Sequence, residues 1–290
     1  MLPKEACVEA QTFSPEKKPA QPAPLWKRLL RTALCTVLGC LIFGGTALVM
    51  FEDKLIYFPT KGSVGNSPGE DVWLTAADGV KIHAWYFPHP QAKATILHLH
   101  GNAGNLSDRR DLVRDLQALG VNVLAIDFRG YGQSDGRPDE KGLNADSRAA
   151  YDWLRTKTGA ERIVIHGESL GGGPACELAS TVPCGGLILQ STFTSIPDMA
   201  PRVMPIFPKF LVRTQFDNLS KIPKIACRKL FLHSRSDEII PFDMGERLFG
   251  AAAEPKEFTW FNGCGHNEMT ISRSHQYYSR LAAFLAPFAK

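Results

Sequence analysis

The chain has 290 residues, 44% of them apolar, enough to bury one large core, and its formal net charge of +4 is too mild to mark a nucleic-acid binder. No basic run interleaved with aromatics occurs, so nucleic acid is not an expected partner. The seven cysteines show no C-x-x-C spacing, which sets aside a zinc module or a dithiol redox motif.

Residues 1–26 are rich in Pro, Lys, Gln and Glu without apolar periodicity, the composition of a disordered tail. Lys27, Arg28 and Arg31 then precede an uncharged stretch, 33–51, about the ~20 residues a helix needs to cross a bilayer. Glu52 and Asp53 close it. Residues 27–52 are therefore expected to be a transmembrane anchor and 53–290 a globular domain. Cations before the span and acids after it predict a single-pass protein with its N-terminus in the cytoplasm and its domain on the non-cytoplasmic side. A cleaved signal peptide competes, but its leader and apolar run would be too long and no small-x-small site follows. Val37, Leu38, Gly39 and Cys40 faintly resemble a lipidation site, and the apolar run continuing past Cys40 argues against it. The anchor reading predicts that removing residues 1–52 leaves a soluble, active domain.

Residues 55–59 lead out of the anchor with aromatics suited to an interface or to docking on the domain. Residues 71–75 and 80–86 alternate around a short Ala-Ala-Asp-Gly connection, an antiparallel hairpin pattern. From residue 95 the rhythm becomes strand then helix. Strands are predicted at 95–99, 121–127, before Gly167, at 186–190, 229–233 and 257–261. Helices are predicted at 106–119, 143–156, from 174, near 242–252 and at 274–288. Buried apolar strands alternating with helices predict an α/β fold with a mostly parallel, doubly wound sheet, the opening hairpin forming its antiparallel edge. Cys7 lies in the leader, Cys35 and Cys40 in the apolar segment, and Cys176, Cys184, Cys227 and Cys264 in the globular part, where a disulfide pairing stays open.

Gly167, Glu168, Ser169, Leu170 and Gly171 stand between a β-branched run and a helical pattern, the G-x-S-x-G arrangement of a nucleophile turn. The serine must sit in a strained turn, and the two glycines let backbone pass where a Cβ would clash. The helix that follows directs its free N–H groups toward a developing oxyanion. By chance such a pattern recurs in roughly one chain of this length in ten, so the rest of the chain must supply its partners.

An acyl-transfer serine needs a base, an orienting acid and an oxyanion hole, on loops at the carboxyl edge of the sheet. Asp237 follows the 229–233 strand and is the expected acid, with Glu238 its neighbouring competitor. His266 stands between Gly265 and Asn267 after the last strand and is the expected base, ahead of His233 and His275. The Gly-rich turn after the 95–99 strand is expected to present the N–H of Asn102, or alternatively Ala103, to pair with that of Leu170 as an oxyanion hole. In this reading His266 takes the proton of Ser169 and Asp237 orients His266. No metal or organic cofactor is required, and His98, His100 and His166 are not at zinc-ligand spacing on any one element.

The elbow together with His100, Gly101, Asn102, Ala103, Gly104 and Asn105, the run from Asp127 to Ser134, and Gly265 with His266 resembles the α/β-hydrolase superfamily, most closely its single-pass, N-terminally anchored members. The resemblance spans about residues 30–288. It implies serine hydrolase chemistry on esters, thioesters or lipids, with Asp127 and Arg129 as scaffold, and leaves the substrate open because the fold hosts many. Residues 192–222, with Pro197, Pro201, Pro205, Phe207, Pro208, Phe210, Leu211 and Phe216, are expected to be a short cap that either lines an acyl pocket or packs as a small helical insert. The expected function is a membrane-anchored, lipase-like serine esterase acting on a small-molecule or lipid ester. A serine aminopeptidase-like peptidase and a non-catalytic anchored scaffold are the alternatives. Short p-nitrophenyl esters and aminoacyl-nitroanilides separate these.

Overall fold

The computed structural model describes residues 24–62, 69–203, 208–272 and 274–289. The tail predicted for 1–26 lies, up to residue 23, outside the described residues, as do Pro205 and Phe207 of the predicted cap. The chain divides into two compact units between Thr46 and Ala47. Helix α1 runs Leu25–Ile56, and within it Leu25–Thr46 is long and apolar enough to cross a membrane.

The second unit is built on eight strands: β1 (Glu70–Thr75), β2 (Lys81–Phe87), β3 (Thr95–Leu99), β4 (Asn122–Ile126), β5 (Ile163–Glu168), β6 (Gly186–Gln190), β7 (Arg228–Ser234) and β8 (Lys256–Phe261). Their order across the sheet is β1-β2-β4-β3-β5-β6-β7-β8. β1 and β2 pair antiparallel, and β2 meets β4 antiparallel; every later pairing is parallel. The predicted edge hairpin is thus present, closed at Gly79 (φ +83°), a conformation that suits glycine. β3 to β6 are apolar runs buried on both faces, as a parallel sheet covered by helices demands.

Helices α2 (Arg110–Gln117), α3 (Glu140–Arg155), α4 (Gly172–Thr181), α5 (Ile196–Val203), α6 (Asn218–Lys221), α7 (Phe242–Ala251), α8 (Met269–Ser272) and α9 (Ser274–Leu285) complete the unit. Leu97, Leu99, Leu124 and Ile126 point into one core with Leu143, Ala150 and Leu154 of α3 and Ala175 of α4. Ile96, Val123, Ala125 and Val164 share the other with Val113 of α2 and Leu281 and Phe284 of α9. Two boundaries differ from the pattern reading for local reasons. Asp139 caps α3 by accepting from Gly142 N at 2.6 Å, so the helix starts at Glu140 rather than 143. Asn105 and Asp108 form a reciprocal capping box, and the first turn, Leu106–Arg109, is a 3-10 turn before α2 begins.

β3 is the strand at which chain order reverses, with β4 on one side and β5 on the other. The loops leaving β3 and β5 therefore diverge at neighbouring carboxyl ends, where Leu99 pairs with Gly167. That crevice is where a doubly wound sheet places a site. The loop after β4 is held by charged side chains. Arg129 donates from Nη2 to Asp146 Oδ1 at 2.7 Å and from Nη1 to Asp78 Oδ2 at 2.6 Å, while Asp127 Oδ1 accepts from Leu106 N at 2.8 Å.

The cysteines of the globular part are thiols, and two of them meet: Cys184 Sγ lies 3.2 Å from Cys227 Sγ, at the entries to β6 and β7. Cys176 and Cys264 are buried elsewhere. Incubated with oxidised glutathione, the folded protein is expected to couple Cys184 to Cys227 and keep Cys176 and Cys264 reduced. Peptide mapping after alkylation checks this, and a crosslink through Cys176 or Cys264 would contradict it.

Candidate active site

β5 ends at Glu168, a 3-10 turn spans Ser169–Gly171, and α4 follows from Gly172. Ser169 has φ 51°, a left-handed conformation that an L residue holds only when its surroundings enforce it. Those surroundings are specific. Thr192 Oγ1 donates to Ser169 O at 2.8 Å. A Cβ on Gly171 would lie 2.0 Å from Leu99 O, and one on Gly167 would lie 2.7 Å from Ala175 Cβ. Both positions therefore accept only glycine, and the turn is pressed between β3 and α4.

Ser169 Oγ stands 3.0 Å from His266 Nε2. The opposite ring nitrogen, Nδ1, is 2.8 Å from Asp237 Oδ2 and 3.0 Å from Oδ1. Asp237 Oδ1 also accepts from Ile240 N at 2.7 Å and Ile239 N at 3.0 Å, so its carboxylate is held by two amides and an imidazole. Burial alone would raise its pKa, but the hydrogen bonds from His266 and the Ile240 amide, with the charges of His266 and His233, hold it below the ordinary value of 3.8. The carboxylate is thus the resident form at neutral pH, ready to accept from Nδ1–H and leave Nε2 free toward the serine.

Glu238 is placed differently. Its Oε2 accepts from the main-chain N of His266 at 3.0 Å, fixing the loop that carries the ring. The two adjacent acids thus orient His266 from side chain and backbone. His233 Nε2 lies 3.0 Å from Ile240 O and 3.5 Å from Asp237 Oδ2, behind the acid, and His275 is exposed at the start of α9. His98 Nδ1 and His166 Nδ1 are 3.3 Å apart inside the sheet, where burial pushes the His166 imidazole down to about 4. Neither ring meets Ser169.

Ser169, Leu170 and His266 open into a cavity of about 430 Å³ that Gly101, Asn102 and Ala103 also line. The loop after β3 and the turn after β5 thus share one wall, as the expected pairing of Asn102 with Leu170 requires. The insert between β6 and β7 contributes Phe193, Ile196, Met199, Ala200 and Val212 to the lining, while Phe216 packs beneath α4 and Phe210 faces solvent. Of the two readings of the insert, pocket lining applies to Phe193, the first helix and Val212, and packing to Phe216.

A family model described as the alpha/beta hydrolase fold matches residues 94–221. The alpha/beta hydrolase domain-containing protein WAV2 of Arabidopsis thaliana is 34% identical over 285 residues, covering 87% of this chain and 92% of WAV2. The chain belongs to the α/β-hydrolase family. Protein bem46 of Schizosaccharomyces pombe is also 34% identical, over 82% of this chain and 87% of bem46. Among solved structures, the Pyrococcus furiosus esterase Pf2001 aligns with a TM-score of 0.68 at 20% identity, covering 80% of this chain and all (100%) of that one. An alpha-beta hydrolase from Vibrio vulnificus aligns at 0.61 with 25% identity, covering 74% and 80% of the two chains.

In this α/β-hydrolase several lining residues carry no sequence signal of their own. Arg109 and Glu168 face each other at 3.5 Å beside Ser169. Ile239 and Ile240 continue the wall from the acid loop. Glu52, Leu55, Ile56 and Phe58 come from the other end of the chain. The x position of G-x-S-x-G hints at Glu168 and the aromatics of 55–59 at docking on the domain; the others are assembled by chain crossings that no periodicity reports.

Proposed function

We propose that this α/β-hydrolase is a membrane-anchored serine hydrolase that cleaves carboxylic esters, lipid esters or acyl-thioesters. The observation that carries the reading is the chain from Asp237 through His266 to Ser169, ending at a largely apolar cavity of about 430 Å³. His266 Nε2 removes the Ser169 proton as Oγ attacks the acyl carbon. The carbonyl oxygen takes the negative charge and is held by the N–H groups of Asn102 and Leu170. The imidazolium, stabilised by Asp237, returns the proton to the departing alcohol or thiol, leaving an acyl-serine. Water then repeats the cycle with His266 as base, releasing the acid and restoring Ser169.

Apolar side chains of the insert offer space to an acyl chain, and no cofactor takes part. The carboxylates of the lining favour an ester over an amine-bearing peptide. Glu168 already faces Arg109, and Glu52 accepts from the amides of Arg213 and Thr214, so neither is free to hold a substrate ammonium. The apolar stretch of α1 serves as the anchor, with the N-terminus cytoplasmic and the domain on the far side.

Two assays test this. A fluorophosphonate probe is expected to label the wild-type protein and not Ser169→Ala, and p-nitrophenyl esters are expected to turn over while aminoacyl-nitroanilides do not. Labelling that survives in Ser169→Ala, or turnover of the anilides alone, would refute the proposal.

A further inference from the structure

The segment immediately after the apolar stretch of α1 carries more hydrogen bonds to the site than a linker requires. All of it, residues 52–61, belongs to the second unit. Phe58 and Pro59 pair in parallel with Ala103 and Gly104, making a two-residue ladder on the loop after β3. Phe58 N donates to Asn102 O at 2.9 Å and Thr60 N to Gly104 O at 3.2 Å. Asn102 Nδ2 returns a bond to Ile56 O at 3.2 Å, and Asn105 Nδ2 one to Thr60 O at 3.2 Å. From the other side Tyr131 OH donates to Asn102 O at 2.8 Å, and Gly132 N to Thr60 O at 2.8 Å. Tyr57 is buried in the main core, which pins the segment in place.

One turn earlier, Glu52 reaches the insert. Its carboxylate accepts from Thr214 N at 2.7 Å and Arg213 N at 3.0 Å, with Arg213 Nε at 3.3 Å. Burial alone would push Glu52 up, yet these amide and guanidinium bonds bring it below its ordinary value. Between the two attachments Leu55, Ile56 and Phe58 line the cavity. The loop after β3 is soft by composition, with Gly101 and Gly104 in it, and an oxyanion donor must be placed to within about 0.5 Å to act. A short ladder is a direct way to hold it.

We infer that residues 52–60 are a working wall of the site: the main chain of 56–60 positions the oxyanion loop, Glu52 positions the insert, and Leu55, Ile56 and Phe58 determine which acyl groups fit. The inference rests on the ester-hydrolase reading. It also moves the safe truncation point. A cut after residue 52 removes the Glu52 carboxylate, so the soluble form expected from the sequence must begin no later than Glu52.

The test uses the purified full-length protein in detergent with p-nitrophenyl acetate and p-nitrophenyl laurate. Ile56→Trp fills the cavity wall. It is expected to lower kcat/KM for the laurate about tenfold or more beyond its effect on the acetate. Glu52→Ala is expected to lower kcat by about tenfold on both esters, with KM nearly unchanged, because a displaced insert and loop misplace reacting groups; Glu52→Gln, which keeps the acceptor oxygen, is expected to recover part of it. Equal losses on both esters in Ile56→Trp, or no change in either variant, would overturn the inference. Should Glu52→Ala fail to fold, Ile56→Trp decides alone through the ester ratio. Wild-type protein that takes no fluorophosphonate and cleaves neither ester would instead bring down the hydrolase reading and this inference with it, whereas a labelled, active wild type with unshifted variants brings down the inference only.

Discussion

Ser169→Ala is expected to lower kcat on a p-nitrophenyl ester by about 10⁴- to 10⁶-fold while leaving the far-ultraviolet circular dichroism unchanged. In the proposed mechanism the hydroxyl forms the acyl-enzyme, so no neighbour can replace it. Its only described polar partner is His266 Nε2, and the strained turn is held by Thr192, Gly167 and Gly171 rather than by Oγ. Removing Oγ therefore removes chemistry without removing structure. His266→Ala is expected to fall to a similar floor. The double variant should be no worse than either single one, because the two groups act as a unit. Asp237→Asn is expected to cost about 10⁴-fold, since an amide in that place favours the wrong tautomer of His266. Ester turnover by Ser169→Ala at a tenth of the wild-type rate would end the serine mechanism.

Arg129→Met is expected to destabilise the folded domain by about 3–5 kcal/mol, read as a lower midpoint in urea unfolding. The effect comes from what is left behind. The Asp146 side chain is fully buried and takes hydrogen bonds from Arg129 N, Nε and Nη2. Burial pushes the Asp146 carboxyl up even with the guanidinium beside it. Without Arg129 that carboxylate is a buried, unpaired charge, so the folded variant takes up a proton at a higher pH than the unfolded chain does. A carboxyl whose folded pKa is raised loses stability as pH rises through that value, so the deficit of Arg129→Met should shrink on acidification from pH 7. Pairing it with Asp146→Asn should return part of the loss, because the stranded charge goes as well. Asp78, half exposed at the other end of the guanidinium, contributes little by comparison. An Arg129→Met protein as stable as wild type would show the ion pair to be dispensable to the fold.

Much of this architecture was legible in one dimension. Runs such as Ile163–Glu168 and Gly186–Gln190 are largely apolar and short, so they read as buried strands wherever they pack. The antiparallel edge hairpin followed from the alternation of residues 71–75 and 80–86 around a short connection, a local property of the sequence. The three side chains named from their order and loop position, Ser169, Asp237 and His266, meet in one hydrogen-bonded chain. Their legibility has a physical origin. Each stands just after a strand of a parallel sheet, and such a sheet brings all its carboxyl ends to one edge.

Other features depended on distances between segments far apart in sequence. Asp237 and Glu238 are adjacent acids with the same local signature, and only the crossing of the β7 and β8 loops sends one to the ring and the other to the main chain of His266. Which cysteines meet was decided by the register of β6 against β7, not by spacing. Residues 55–59 read as a segment suited to an interface or to docking on the domain, and their composition leaves the two open; the ladder to Ala103 and Gly104 places Phe58 and Pro59 on the loop after β3. By itself, then, the sequence determined the strand–helix alternation, the nucleophile turn and the apolar N-terminal stretch, because periodicity, glycine placement and hydrophobic length act over neighbouring residues. The tertiary structure decided which acid faces the imidazole, which thiols touch and what walls the cavity, because those depend on where side chains point once distant segments have packed.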